Sequence, residues 1–401
     1  MKKSLIALAV VAALPGVALA QSSVTISGNI KTGITRFSTD SVTGVGKIKD
    51  TAMSDGSSRI ILSGTEDLGG GMAAIFQVDN RFNGNDGTSG QGYGVSPQGL
   101  FAGGNTFVGA KGGFGQLVFG NLDTHYGKGL DEFGARSTSL GASSTSLLDY
   151  IGGSAIAVTS RTKNVIRYNT PVMSGFSAQL DYSTAPFAIE GGTGYQTSST
   201  LTTINPGKGQ ASHAELNYKE GAIFAGVSVW DAKVEQVSGG LTTTTAALAT
   251  ATALGTTISP LGATAKSGEE SMKVYGSYDL GVAKIGAQYD DSKLKFGTAA
   301  DQKRKASHIA VTAPMGMGAV LFQYTKANAI SGIVNSGATM VSVGYDYSLS
   351  KRTSVGVNYS KINNEAAANY QFFTGVALQN SPATAKGTDT SMLYAGIRHA
   401  F

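Results

Sequence analysis

The chain has 401 residues, a formal net charge of +5 and no cysteine, which rules out a disulfide framework, a thiol nucleophile and a thiolate metal site. Only 14% of the residues are charged and 55 are glycine. Ordinary soluble proteins carry about 25% charged residues, so a soluble enzyme fits this composition poorly.

Residues 1–20 fall outside the fold. Met1-Lys2-Lys3 is a basic start, Leu5 to Val17 is apolar, and Ala18-Leu19-Ala20 is a small-residue cleavage site, the pattern of a secretory signal peptide. The apolar run is shorter than the ~20 residues of a helical membrane span, and no later run reaches that length. The mature chain is expected to start at Gln21 and form one domain over 21–401.

From Val24 onward the side chains alternate. Val24, Ile26, Gly28, Ile30 and Ile34 share one face, while Thr25, Ser27, Asn29, Lys31 and Thr35 share the other. This two-residue period predicts a strand with one apolar and one polar surface. The pattern returns at Arg59 to Ser63. It passes through the turn Asp67-Leu68-Gly69-Gly70-Gly71 and resumes at Ala74 to Arg81. After the Gly-rich stretch 83–104 come Val108 to Ala110 and Gln116 to Phe119.

Alternation then stops from Asn121 to Arg161, too long for a hairpin loop and rich in Ser, Thr and Gly. Long connections in a regular strand array are more often functional than idle, and this one is expected to fold into a barrel and narrow it. Beyond it, Arg161, Lys163 and Arg167 are expected on one face, with Ile166 and Tyr168 on the other. Phe176 to Tyr182, Ala214 to Tyr218 and Met272 to Tyr278 continue the rhythm. Ala283 to Tyr289, Val320 to Tyr324, Val341 to Tyr347, Val355 to Tyr359 and Leu393 to Phe401 complete it. Two further long loops are expected at 185–210 and 233–270. The total is about sixteen strands, each near the ~9–11 residues that cross a bilayer at a tilt.

A soluble sandwich also alternates, but here the polar faces carry charge in mid-strand, at Arg59, Asp79, Arg167, Asp181, Glu215 and Asp346. A closed antiparallel barrel, apolar outside and wet inside, satisfies every strand at once. Closure is required because lipid cannot pair an open sheet edge. Tyr182, Tyr289, Tyr324 and Tyr359 end strands towards the long loops, and Tyr218, Tyr278 and Tyr347 towards the short turns. These form two interfacial belts.

The whole mature chain resembles a general porin of the Gram-negative outer membrane, of the β-proteobacterial type. The resemblance rests on Ser58-Arg59, the run Ser63 to Gly71, Ala74 to Gln77, Phe114 to Gly120, Val165 to Pro171 and Gly396 to Phe401. It implies sixteen strands, a homotrimer, and a third external loop folded inward. Leu130-Asp131-Glu132-Phe133-Gly134 is similar to the constriction element of that loop, with Asp131 where the family has Pro. Asp131 and Glu132 would be its acids. The opposing basic wall would hold Arg59, Arg81 and Arg161, with Lys31, Lys163 and Arg167. Asn121 stands where related porins usually have Arg, removing one expected positive charge. Phe401 resembles the terminal aromatic read by the outer-membrane assembly machinery.

The function implied is passive diffusion of ions and small hydrophilic solutes with a mild anion preference. Outer-membrane lipid and lipopolysaccharide are the surroundings, and no cofactor, metal, nucleic acid or enzymatic activity is implied. Two alternatives are a substrate-specific porin using Tyr126, Phe133 and Tyr150, and an adhesin or receptor using the long loops. The four histidines show no metal-ligand spacing, and no Ser-His-Asp arrangement is visible in the spacing.

Overall fold

A computed structural model describes residues 23–40, 46–55, 58–84, 101–125, 145–148, 150–151, 154–155, 161–186, 209–235, 266–296, 300–372 and 385–401. The expected leader at 1–20, the mature start at Gln21 and the loop acids Asp131 and Glu132 lie outside the described residues. So do Tyr126 and Phe133, and the side chain of Tyr150.

The first strands are β1 (Ser23–Thr39), β2 (Lys49–Asp55), β3 (Ser58–Gly69), β4 (Met72–Phe82), β5 (Thr106–Gly112) and β6 (Gly115–Asp123). A one-turn helix α1 (Thr145–Leu148) and a small hairpin, β7 (Tyr150–Ile151) with β8 (Ser154–Ala155), interrupt the series. There follow β9 (Arg161–Asn169), β10 (Phe176–Ser183), β11 (Gly209–Glu220), β12 (Ile223–Glu235), β13 (Lys266–Asp279) and β14 (Lys284–Phe296). The last are β15 (Gln302–Met315), β16 (Gly318–Ala327), β17 (Ala338–Ser348), β18 (Thr353–Asn364) and β19 (Thr390–Ala400).

Apart from β7 and β8, these strands form one 17-stranded antiparallel sheet. β2 and β3 are two lengths of one stave, because both pair with β1, so the sheet has sixteen staves. It closes where β1 meets β19, from Asn29 opposite Ala400 to Thr39 opposite Thr390. In lipid each unpaired backbone group would cost several kcal/mol, and closure leaves no unpaired edge.

Short turns gather at one end. Gly69, Gly70 and Gly71 have φ of +78, +62 and +78°, a left-handed run that side chains disfavour and glycine adopts freely. The outer surface is apolar: Ile26, Phe76, Val108, Leu180, Val274, Phe322, Val343 and Ile397 are all exposed. On a soluble protein so much exposed apolar surface would drive association, whereas lipid covers it. Tyr182, Tyr289 and Tyr359 stand on this face towards the long connections and Tyr278 towards the short turns.

Two expectations need correction. The inner wall is not uniformly polar. Phe37, Met340, Ile362, Met392 and Tyr394 point inward and pack with Leu147 of α1 and with Tyr370 and Phe372 of the β18–β19 connection. Strand ends that carry a packed connection need an apolar inner face as well as an apolar outer one. Second, Arg161, Lys163 and Arg167 do not share a face. Gly120 pairs with Val165 but Leu122 pairs with Thr162, so β9 holds one extra residue against β6. Asn164, at φ +53°, makes this bulge, and the alternation reverses across it. Strand ends also extend into the expected loops: β11 starts at Gly209, β12 reaches Glu235 and β13 starts at Lys266.

Candidate functional site: the inner wall

Two ionic networks line the wall. The first is built on neighbouring staves. Arg59 on β3 and Arg81 on β4 are direct cross-strand partners, two like charges on one face. Such a pair is unfavourable alone. Asp79, two residues from Arg81 on the same face, compensates it: Arg81 lies 3.2 Å away and Arg59 lies 3.8 Å away. Asp79 is 1% exposed and Arg81 13%, but Arg59 is 40% exposed and keeps much of its charge open to solvent. Gly104 leaves room for the carboxylate, since a Cβ there would come within 2.1 Å of Asp79 Cγ.

Asn105 carries the network to β6. Its backbone N–H reaches Asp79 at 3.4 Å, and its side-chain amide donates to Asp123 Oδ2 at 2.9 Å. Arg161 Nε donates to Asp123 Oδ1 at 3.0 Å, and its Nη1 donates to the Gly103 carbonyl at 2.9 Å. Three arginines therefore share two carboxylates. Asn121 donates to the Gly104 carbonyl instead of adding a charge.

The second network runs across β9 to β15. Arg167 makes a two-pronged pair with Asp181, 2.7 and 2.8 Å, and donates to the Asp123 carbonyl at 2.6 Å. Asp181 Oδ2 accepts from His213 Nδ1 at 2.8 Å, and His213 Nε2 lies 2.8 Å from Ser228 Oγ. Ser228 Oγ lies 2.7 Å from His125 Nδ1, and His125 Nε2 lies 2.9 Å from Ser271 Oγ. Lys273 donates to the His125 carbonyl. Asp290 and Ser292 join Ser271 to Arg304, whose guanidinium donates to the carbonyls of Leu147 and Leu148.

The two ends of the network therefore hold the two ends of residues 126–144. His125 is 0% exposed, and burial, then Lys273, then His213 keep its imidazole well below the ordinary value of 6.5. A neutral ring can donate from one of its nitrogens and accept at the other, which suits its position between two serine hydroxyls.

Asp181, His213 and Ser228 have the connectivity of a nucleophile triad. The serine, however, has 0% exposure and its oxygen is held between two imidazoles, leaving an electrophile no approach to it. The relay ties His125 to β12 and β13. No group of three or more His, Cys, Asp or Glu suited to a metal occurs among the described residues.

Of the residues expected from the sequence, Arg59, Arg81 and Arg161 come together and Arg167 belongs to the second network. Lys31 lies on the inner parity of β1, its backbone bonded both ways to Ser58 Oγ. Lys163 sits at the β9 bulge, exposed, and joins neither network. His125, His213, Ser228, Ser271, Lys273, Asp290 and Arg304 were not singled out. Their common signal is polar identity at inward positions of apolar-backed strands, but their partners are far away in the chain.

A profile of the Gram-negative porin family matches residues 7–367. Outer membrane porin protein 32 of Delftia acidovorans is 28% identical over 407 residues, covering 100% of each chain. An outer membrane porin protein of Bordetella pertussis is 27% identical over 455 residues, again 100% of each. Among solved structures, the anion-selective porin from Comamonas acidovorans aligns with a TM-score of 0.69 at 23% identity, over 95% of this chain and 100% of that one.

Proposed function

The chain belongs to the Gram-negative porin family, channels of the outer membrane, and on that premise we propose that ions and small hydrophilic solutes diffuse through it past a charged constriction with a mild preference for anions. The observation that carries this reading is the pairing of Arg59 and Arg81 with Asp79 on the inner wall, joined through Asn105 to Asp123 and Arg161 at the strand ends, with Arg59 the most open of the three arginines. The connection 126–144 begins at His125, held on β12 and β13, and ends at α1, held on β15 and packed in the inner apolar cluster. Both anchors lie on inward positions, which supports a connection that crosses the lumen. Asp131 and Glu132 would then face Arg59 and set up a transverse field, and rings of charge of this kind tune ion selectivity. A homotrimer in lipopolysaccharide-bearing membrane, assembled through the outer-membrane machinery, completes the proposal.

The test is the zero-current potential in a planar bilayer under a potassium chloride gradient. One charge about 8 Å from a passing ion in water changes its energy by about 0.5 kcal/mol, roughly twofold in permeability. Arg59→Ala is expected to move selectivity towards cations by about that factor for each ion. Asp79→Asn should move it towards anions. An unchanged potential in both variants would sink the assignment of the constriction, while the channel function would stand on its conductance.

A further inference from the structure

The short-turn end of the barrel carries exposed thioethers. Met72 and Met173 stand at the β3–β4 and β9–β10 turns, 47% and 64% exposed. Met315 and Met317 flank Gly316 in the turn between β15 and β16, 60% and 62% exposed. Met340 and Met392, by contrast, are 0% and 1% exposed inside the apolar cluster of the inner wall. Methionine oxidation follows exposure, so the turn sulfurs are open to an oxidant and the cluster sulfurs are closed to it. Short turns mark the periplasmic end of a bacterial barrel, where a small oxidant meets them from water.

The β15–β16 turn differs from the others in how β17 holds it. Tyr345 Oη donates to the Met315 carbonyl at 3.0 Å, and the Ser348 N–H donates to the Met317 carbonyl at 3.0 Å. Tyr347 Oη donates to the Met317 sulfur itself, at 3.4 Å. A thioether sulfur has two lone pairs, and oxygen added to one or the other gives sulfoxides of opposite configuration at sulfur. The phenol occupies one lone pair of Met317 and leaves the other open. Met72, Met173 and Met315 carry no such donor on sulfur among the described residues, so both of their lone pairs are open.

We propose that Met317 is a stereoselective oxidation site for small hydroperoxides, with Tyr347 as the group that selects the face. The open lone pair attacks one oxygen of the peroxide. A sulfur–oxygen bond forms and the oxygen–oxygen bond breaks. The leaving hydroxide takes the proton of the transferred oxygen, so hydrogen peroxide is reduced to water while sulfur loses two electrons. The backbone bonds from β17 do not involve sulfur, so the turn keeps its clamp after oxidation. Sulfoxide reductases each accept one configuration, so a single configuration makes Met317 a site that one such enzyme can reset. Tyr347 and Met317 lie outside the lumen, which separates the site from the channel reading.

The experiment oxidises the folded mature protein in non-ionic detergent with hydrogen peroxide, stopping before Met317 has fully reacted. The chain is then unfolded and divided between a reductase specific for the S configuration and one specific for the R configuration. Peptide mass spectrometry reads what each has repaired at each methionine. The two configurations at Met317 are expected to differ about fivefold, the bias that one typical hydrogen bond gives between two otherwise equivalent faces. Met72, Met173 and Met315 should show little preference, as should every methionine oxidised in the unfolded chain. Tyr347→Phe keeps the ring in the interfacial belt and removes only the hydroxyl, and it should bring Met317 to the ratio of Met315. Met340 and Met392 should react at least about tenfold more slowly, because they wait for a local opening. Heat-modifiable migration of the oxidised protein should match that of the reduced one. Equal configurations at Met317 in the wild type, or an unchanged bias in Tyr347→Phe, would overturn the proposal. Oxidation of Met340 and Met392 in step with the turn, or unfolding on oxidation of the turn alone, would overturn it as well.

Discussion

His125 shows how a single side chain can be seated by partners far away in the chain. Both ring nitrogens are engaged, Nδ1 with Ser228 and Nε2 with Ser271, and its carbonyl takes the Lys273 ammonium. Asp290 and His213 are its other titratable neighbours, at 4.0 Å between Asp290 Oδ2 and the ring and 6.0 Å between the two ring centroids. The seated ring has its pKa lowered from 6.5, so the neutral form is favoured when seated. The sign follows: above 6.5 the seated and released rings are both neutral and pH has no effect. As pH falls through 6.5 the released ring binds a proton that the seated ring refuses, and seating is progressively lost. Acidification below about 6.5 is therefore expected to increase open-channel current noise, and His125→Gln should remove that dependence. Noise that rises identically in both proteins would place the acid response elsewhere. The seat of this ring was not legible in the sequence. Ser228 is 103 residues from His125 and Ser271 is 146, and only the curvature of the closed sheet brings them together.

At the scale of an element, β9 separates what alternation can and cannot reveal. The two-residue period identified its outer Ile166 and inner Arg167 because packing enforces it there. It misplaced Arg161 and Lys163 because one added residue reverses every side chain beyond it. The signal available was Asn164, an asparagine in mid-strand and one of the few residues that tolerate a left-handed backbone. Its side chain also donates to the Ala185 carbonyl at 3.0 Å. Asn164→Val would force a β-branched residue into that conformation, at a cost of roughly 1–2 kcal/mol. Asn164→Gly should keep the register and lose only the hydrogen bond. Thermal unfolding is expected to rank them wild type, then Gly, then Val. The Val variant should also show altered selectivity, because straightening the bulge withdraws Arg161 from Asp123. A Val variant as stable and selective as wild type would mean that the bulge does not depend on residue 164. The inner apolar cluster was legible in principle: Met392-Leu393-Tyr394 and Met340-Val341 are apolar on both parities, a departure from clean alternation that marks where a connection packs inside.

For the whole molecule, closure is the step that makes every other feature possible, and it depends on the two chain ends. The final strand β19 pairs with β1 over eleven residues of each. Beyond it, the N–H of Gly28 donates to the Phe401 carbonyl at 3.0 Å, and the N–H of Phe401 donates to the Gly28 carbonyl at 3.1 Å. Gly28 is required at that point, since a Cβ would stand 2.2 Å from the Arg59 carbonyl and 2.9 Å from the Phe401 ring. The terminal residue is thus part of the seam as well as a candidate signal for assembly, and deletion of Phe401 can separate the two roles. Two net hydrogen bonds are worth about 1–3 kcal/mol, a small share of the ladder that closes the barrel. Purified, denatured chain lacking Phe401 is therefore expected to refold into detergent micelles with only a modest loss of thermal stability. If Phe401 is also the signal read before closure, the same deletion in cells should cut the amount of folded barrel in the outer membrane far more steeply. Equal loss in micelles and in cells would make Phe401 a structural residue alone. No loss in either would leave closure to β1 and β19 without help from the terminus.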